Sequence, residues 1–265
     1  MQSRAIPSPK QANLTPDYEA RLLLNPEVVL NTEHEPTKDV LSAFGITTER
    51  TLMNVGFFDT EVKDISTADW SVRIRKPEDK TKFELTYKKR YNIMRDNVDA
   101  VLTTAKDHGF DAGNTNNEAQ VEWGFLTRTL SVSREKKSGS LTNGVDLPDE
   151  MEARKMLIDE APDKFANWKP NKWGSATLNK SRFYGPVLAK RWIGSWSTIP
   201  QLYIEIWPIR TGSNGKMTYI VEASFKTDSR LTAETKKADL MGFLKDRGWF
   251  LAQDALKTQL ILVNY

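Results

Sequence analysis

Residues 57–91 read FFDTEVKDISTADWSVRIRKPEDKTKFELTYKKRY, and the alternation inside this stretch decides the fold. In SVRIR (71–75), Arg73 and Arg75 alternate with Val72 and Ile74. In KFELTYKKR (82–90), Glu84, Thr86, Lys88 and Arg90 alternate with Phe83, Leu85 and Tyr87. Successive side chains of a strand point to opposite faces, so each run has an apolar face and a largely cationic one. Pro77-Glu78-Asp79-Lys80 supplies turn chemistry between the two runs. If the cationic faces line a closed space, that space suits a polyanion.

Outward from this block the same period recurs. Residues 17–24 alternate as a strand with Asp17, Glu19 and Arg21 on one face. Residues 51–60, 119–134, 185–195, 201–210 and 217–227 also read as strands, with Glu122 on the 119–134 run, Glu205 in YIEIW and Glu222 in YIVEASFK. Gly212-Ser213-Asn214-Gly215 reads as the hairpin turn between the last two. Helical spacing marks residues 37–44, 92–106, 148–165 and 235–248, and 249–257 reads as a further helix. Residues 135–143 read as a basic turn region, 167–181 as loop and 260–265 as a short apolar tail. Residues 1–15 form a Pro-bearing arm, expected to be flexible, and residues 16–265 a single domain. Many strands with helices inserted between hairpins predict an α+β fold built on a closed antiparallel sheet. A small barrel normally fills its interior with apolar side chains. Here the charged faces are expected inside, with helices packed outside on the apolar faces.

Composition narrows the chemistry. The chain has 265 residues, 38 Lys plus Arg and 35 Asp plus Glu, a net charge of +3. That balance gives no argument for nucleic-acid binding, so any phosphate preference must come from local arrangement. The absence of cysteine excludes disulfides, thiolate metal sites and cysteine nucleophiles. With only His34 and His108, a histidine-held zinc or a Ser-His-Asp triad is not expected. No apolar run reaches the roughly 20 residues that span a bilayer, and the first residues lack an apolar signal core. A soluble protein is expected. Its compartment is left open, secretion included, as is its oligomeric state.

Acidic strand faces near both ends of the chain and cationic ones between them suit different halves of one ligand. Clustered carboxylates suit a hard divalent cation. Clustered Arg and Lys suit phosphate oxygens. Together they suit a metal–polyphosphate.

At these residues the chain resembles the CYTH-domain proteins of the triphosphate tunnel metalloenzyme superfamily. Asp17-Tyr-Glu19-Ala-Arg21 stands where the family has Glu-x-Glu-x-Lys. Phe58-Asp59-Thr60, Arg73-Ile-Arg75 and Thr86-Tyr-Lys88 follow in the family's order and spacing, and Lys190-Arg191, Glu205 and Glu222 fall in its later order. The resemblance implies an eight-stranded antiparallel tunnel. It implies that Asp17, Glu19, Glu205 and Glu222 hold one or two divalent ions, magnesium or manganese. It also implies that Arg21, Arg73, Arg75, Lys88 and Arg191 grip the phosphate chain, with Glu19, Lys88 and Arg191 catalytic. Glu118 and Glu122 are further candidates as ligands or water-orienting groups. Asp59 and Thr60 are expected to fix a turn, and the run from Arg134 to Lys137 to be a solvated loop.

The expected activity is metal-dependent hydrolysis of inorganic triphosphate or of an organic polyphosphate or diphosphate. A lyase on the same scaffold (a nucleotide cyclase or a diphosphate-eliminating enzyme) and a non-catalytic polyphosphate-binding module are the alternatives. The expected partner is a phosphate-containing small molecule, with neither nucleic acid nor membrane.

Overall fold

The computed structural model describes residues 12–139, 144–212 and 215–265. Most of the N-terminal arm, the end of the 135–143 turn region and the centre of the 212–215 turn lie outside the described residues. In chain order the elements are β1 (Asp17–Leu24), α1 (Pro26–Val29), α2 (Lys38–Ala43), β2 (Thr51–Asp59), α3 (Asp64–Thr67), β3 (Trp70–Pro77), β4 (Phe83–Asn92), α4 (Val98–Asp107), β5 (Glu118–Trp123) and β6 (Arg128–Ser138). There follow α5 (Glu150–Asp159), α6 (Asp163–Ala166), α7 (Trp173–Asn179), β7 (Arg182–Trp196), β8 (Ile199–Thr211), β9 (Lys216–Thr227), α8 (Arg230–Asp246), β10 (Phe250–Leu251) and α9 (Lys257–Asn264).

The strands close in the order β1-β5-β6-β4-β3-β2-β7-β8-β9, with β9 returning to β1. The closed sheet expected from the alternation is present, but the ring has nine strands where eight were expected, and it is mixed. A ring with an odd number of strands cannot alternate direction throughout. One neighbouring pair must run parallel, and it is β1 with β5, Glu19 opposite Glu122. The short β10 pairs with β1 beyond the end of β5.

The polarity follows the predicted parity. Trp70, Val72, Ile74, Leu85 and Tyr87 face outward and are covered by Leu102, Ala105, Leu157, Phe165 and Leu178 of α4 to α7. On the opposite wall, Ala20, Leu22, Ile204, Ile206 and Ala223 are covered by Val29, Val40, Leu240 and Leu244 of α1, α2 and α8. At roughly 1.5–3 kcal/mol per fully buried aliphatic or aromatic side chain, these two layers hold the barrel from outside and leave its lumen free for charge.

Local readings were corrected where a tertiary contact or a backbone preference intervened. Residues 119–134 form not one strand but the hairpin β5–β6. Its turn is held by Asp254, whose carboxylate accepts from the amides of Phe125, Leu126 and Thr127 at 2.6–2.8 Å. The 148–165 helix is two, because Pro162 starts α6 and cannot continue α5. The helix expected over 92–106 begins at Val98, since Asn92 still belongs to β4 and Arg95 and Asp96 take positive φ. Residues 167–181 contain α7. The run from Arg134 to Lys137 lies within β6, where Glu135 faces the lumen. In place of the helix expected over 249–257, residues 249–256 hold β10 and a loop and Lys257 opens α9, which also takes in most of the apolar tail.

Not every helix lies outside. Leu256, Lys257 and Thr258 line the luminal cavity, and Ile261 and Leu262 pack on Val55, Phe57, Val187, Trp207 and Ile209, whose strand parity places them on the luminal side. Helix α9 therefore closes part of the barrel. At the opposite terminus, Leu14 is buried, Asn13 bridges Asp111, and the Ala12 carbonyl accepts from the Ala112 amide.

Asp59 behaves as expected of a turn residue. Its carboxylate, 1% exposed, accepts from the amides of Thr60, Ile65 and Ser66 at 2.8–2.9 Å. Asp59→Ala leaves these donors without partners and is expected to cost about 2 kcal/mol in urea unfolding.

Candidate anion tunnel

The luminal cavity has a volume of about 310 Å³, at the lower end of the roughly 300–1,000 Å³ usual for small-molecule sites. Every residue predicted for the site lines it: Asp17, Glu19 and Arg21 from β1, Arg73 and Arg75 from β3, Lys88 from β4, Arg191 from β7, Glu205 from β8 and Glu222 from β9. The alternation puts each on the luminal side. The barrel closure then brings β1 against β9 and β5, so residues about 200 positions apart share one chamber.

Three arrangements divide the lumen. The first is centred on Glu122, 2% exposed. Its carboxylate takes Lys88 Nζ at 2.8 Å, Arg21 Nη2 at 3.0 Å and Ser131 Oγ at 2.7 Å. Burial would raise its pKa, but Lys88, Arg21 and Arg90 hold it well below the usual carboxylate range. Lys88 is itself lowered by burial despite this partner.

The second is cationic. Arg75 pairs with Glu84, its Nε at 2.6 Å from Oε2, and lies 3.9 Å from Glu135. Arg73 is different. It donates to Thr86 Oγ1 at 3.0 Å, its Nε has no partner, and no carboxylate stands in ion-pair range of it among the described residues. Burial, with Arg75 beside it, lowers its pKa to about 9. A guanidinium so placed is a site for an anion. Arg90 is similar: it donates to Ser71 Oγ at 3.0 Å, its Nε is unpartnered, and burial lowers its pKa.

The third is the wall of Glu205 and Glu222, which stand opposite each other across β8 and β9. Two like charges so placed repel unless a cation lies between them. The cation is Lys257, its Nζ 3.0 Å from Glu205 Oε2 and 3.0 Å from Glu222 Oε1. Glu205 also accepts from Arg191 Nε at 2.8 Å and Nη2 at 2.5 Å, and from Trp207 Nε1 at 2.9 Å. Burial would raise Glu205, but Lys257 and Arg191 hold it far below the usual range. Burial would lower Lys257, but the two carboxylates hold it above the usual lysine range.

This geometry bears on the divalent ions that the resemblance implies. A carboxylate offers about four acceptor positions, and Glu205 already receives four donors. Asp17 lies exposed at the rim. Burial raises the pKa of Glu19, although Arg21 and Lys226 oppose this. Among the described residues no three acidic or histidine side chains are grouped to hold a metal. The donors as arranged fit an ammonium rather than a divalent ion.

Sequence reasoning missed Lys257 and underrated Glu122 and Arg90. Arg90 carried a signal, the same parity as Lys88. Lys257 carried none, since no periodicity links a helix start to strands 52 and 35 residues earlier. A second cavity of about 380 Å³ shares Arg21, Arg90, Glu122, Glu222 and Leu256 with the first and is also lined by Trp70 and Asn92.

No protein-family model matches the chain, and no curated protein sequence is similar to it. Solved structures are. A Hippeastrum protein, HpAC1, described as an adenylyl cyclase candidate with a dominant triphosphatase activity, superposes with a TM-score of 0.53 at 15% identity, over 92% of this chain and 93% of its own. A Bacillus halodurans protein, described as a candidate adenylate cyclase, superposes with a TM-score of 0.50 at 12% identity, over 92% of this chain and 96% of its own. At these identities the likeness is one of fold. No helix among the described residues is long and apolar enough to cross a membrane.

Proposed function

We propose, from the closed-barrel fold that the chain shares with HpAC1 and from its resemblance to the CYTH-type tunnel proteins, that its lumen binds the phosphate chain of a small tri- or polyphosphate and hydrolyses its terminal phosphoryl group. The observation that carries this reading is Arg73: a luminal guanidinium with a hydroxyl partner and, among the described residues, no carboxylate in ion-pair range. Arg75, Lys88, Arg21 and Arg191 extend the cationic lining, each already sharing a carboxylate that an incoming phosphate competes with. The triphosphatase activity described for HpAC1 makes inorganic triphosphate the first substrate to test.

In this reading Arg73 and Lys88 hold the transferring phosphoryl group, where charge spreads over its oxygens in the transition state. Glu19, whose carboxyl burial pushes up, is suited to take the proton of the attacking water. The new oxygen–phosphorus bond forms as the bridging bond breaks, and the shortened phosphate chain leaves with the bridging oxygen. No step is assigned to a resident metal ion.

The second cavity favours a lyase as the second reading, because it offers an organic group room beside the phosphate chain. One screen separates the readings: inorganic triphosphate, nucleoside triphosphates and prenyl diphosphates, each with magnesium, manganese or chelator. Orthophosphate release from triphosphate is the expected outcome. Cyclic nucleotide with diphosphate would transfer the assignment to a cyclase. Calorimetric binding without turnover would reduce it to a binding module, and no binding at all would remove it.

A further inference from the structure

We infer that Lys257 is the resident cation of the acidic wall, so that the tunnel takes its polyanion with no metal ion seated on Glu205 and Glu222. The inference rests on the phosphate-chain reading for its ligand, but its own evidence lies in the acidic wall. Lys257 Nζ is equidistant from one oxygen of each carboxylate, 3.0 Å from both. The two glutamates are 6% and 3% exposed, so their repulsion has little water to screen it. The ammonium also sits 4.8 Å from the centre of the Trp207 ring, whose Nε1 binds the same Glu205.

The helix that carries Lys257 is anchored. Ile261, four residues on and therefore on the same helical face, is fully buried, and Leu262 is buried beside it among Val55, Phe57 and Ile209. Tethering gives the ammonium a high effective concentration at the carboxylates. A divalent ion needs oxygens at about 2.0–2.6 Å and several of them. To seat one, the protein would have to expel a paired ammonium and strip Glu205 of donors from Arg191 and Trp207.

A tethered cation also changes what the site can do. It neutralises the wall that would repel a phosphate chain, and it does so without a metal that must be acquired. Any magnesium then arrives on the substrate.

Two measurements on the full chain test this. In the first, manganese uptake by the wild-type protein is followed by electron paramagnetic resonance with no phosphate present. No uptake is expected, and uptake that disappears in Glu205→Gln or Glu222→Gln overturns the inference. In the second, triphosphate binding is measured by calorimetry in chelator. Wild type and Lys257→Arg are expected to bind alike. Lys257→Met is expected to bind at least about tenfold more weakly and to recover when manganese is added. Undiminished binding by Lys257→Met, or loss of wild-type binding in chelator, overturns the inference. Circular dichroism establishes that the Lys257→Met barrel is intact. If the wild type binds no triphosphate under any condition, the phosphate-chain reading fails, and the manganese measurement still decides the role of Lys257.

Discussion

Glu122→Gln is expected to lower the unfolding free energy by about 3–5 kcal/mol, the usual cost of removing one partner from a buried ion pair. The substitution keeps the shape and removes one charge. Arg21 and Lys88 then lose their shared carboxylate, and Arg90 loses the negative charge that offsets its burial. Ser131 loses a charged acceptor. The expected result is a lower urea midpoint with an unchanged slope, since the exposed surface is the same. The same variant tests the tunnel. Three cations freed of their carboxylate attract a polyanion more strongly, so added triphosphate should restore stability to a greater degree in Glu122→Gln than in wild type. A loss below about 1 kcal/mol would show that the lumen is wet enough to screen these charges, as in a surface pair.

The second large effect is expected at Arg73, with opposite signs for stability and binding. The folded chain holds this guanidinium with its pKa lowered, so at neutral pH its charge opposes folding. Arg73→Met keeps an apolar stem of similar shape and removes the charge. It is expected to raise stability by about 1 kcal/mol, because a half-buried charge without an ionic partner is removed. Triphosphate affinity should fall by about tenfold to a hundredfold, the range of about 1.5–3 kcal/mol for a hydrogen bond to a charged group. Thermal unfolding and calorimetry read the two effects separately. A stabilised protein with unchanged affinity would exclude Arg73 from the anion site. Arg75→Ala makes a poorer test, since it strands Glu84 and confounds binding with folding.

The contrast between Arg73 and Arg75 shows how far the alternation reaches. Both residues have the same parity on β3, and both are luminal as that parity requires. Which of them is already satisfied depends on Glu84, across the hairpin, and on Glu135, one strand further. The hairpin partner is local and readable. The β6 partner is not, because the run from Arg134 to Lys137 reads as a solvated loop, and only its pairing with β4 carries Glu135 into the barrel wall.

The sequence by itself determined the inside-out polarity of the barrel. A period of two is a property of each strand alone, and charge at every second position commits one face whatever the neighbours are. It also placed Arg73, Arg75, Lys88, Glu205 and Glu222 on the luminal faces where the structure has them. Only the tertiary structure decided the number of strands, and with it the parallel β1–β5 pair. The reason is that closure is a property of the whole ring. Only the tertiary structure put Lys257 between Glu205 and Glu222. An ion pair is fixed by distance in space, and the C-terminal helix reaches the acidic wall by packing Ile261 and Leu262 into the barrel, a contact that no local pattern encodes.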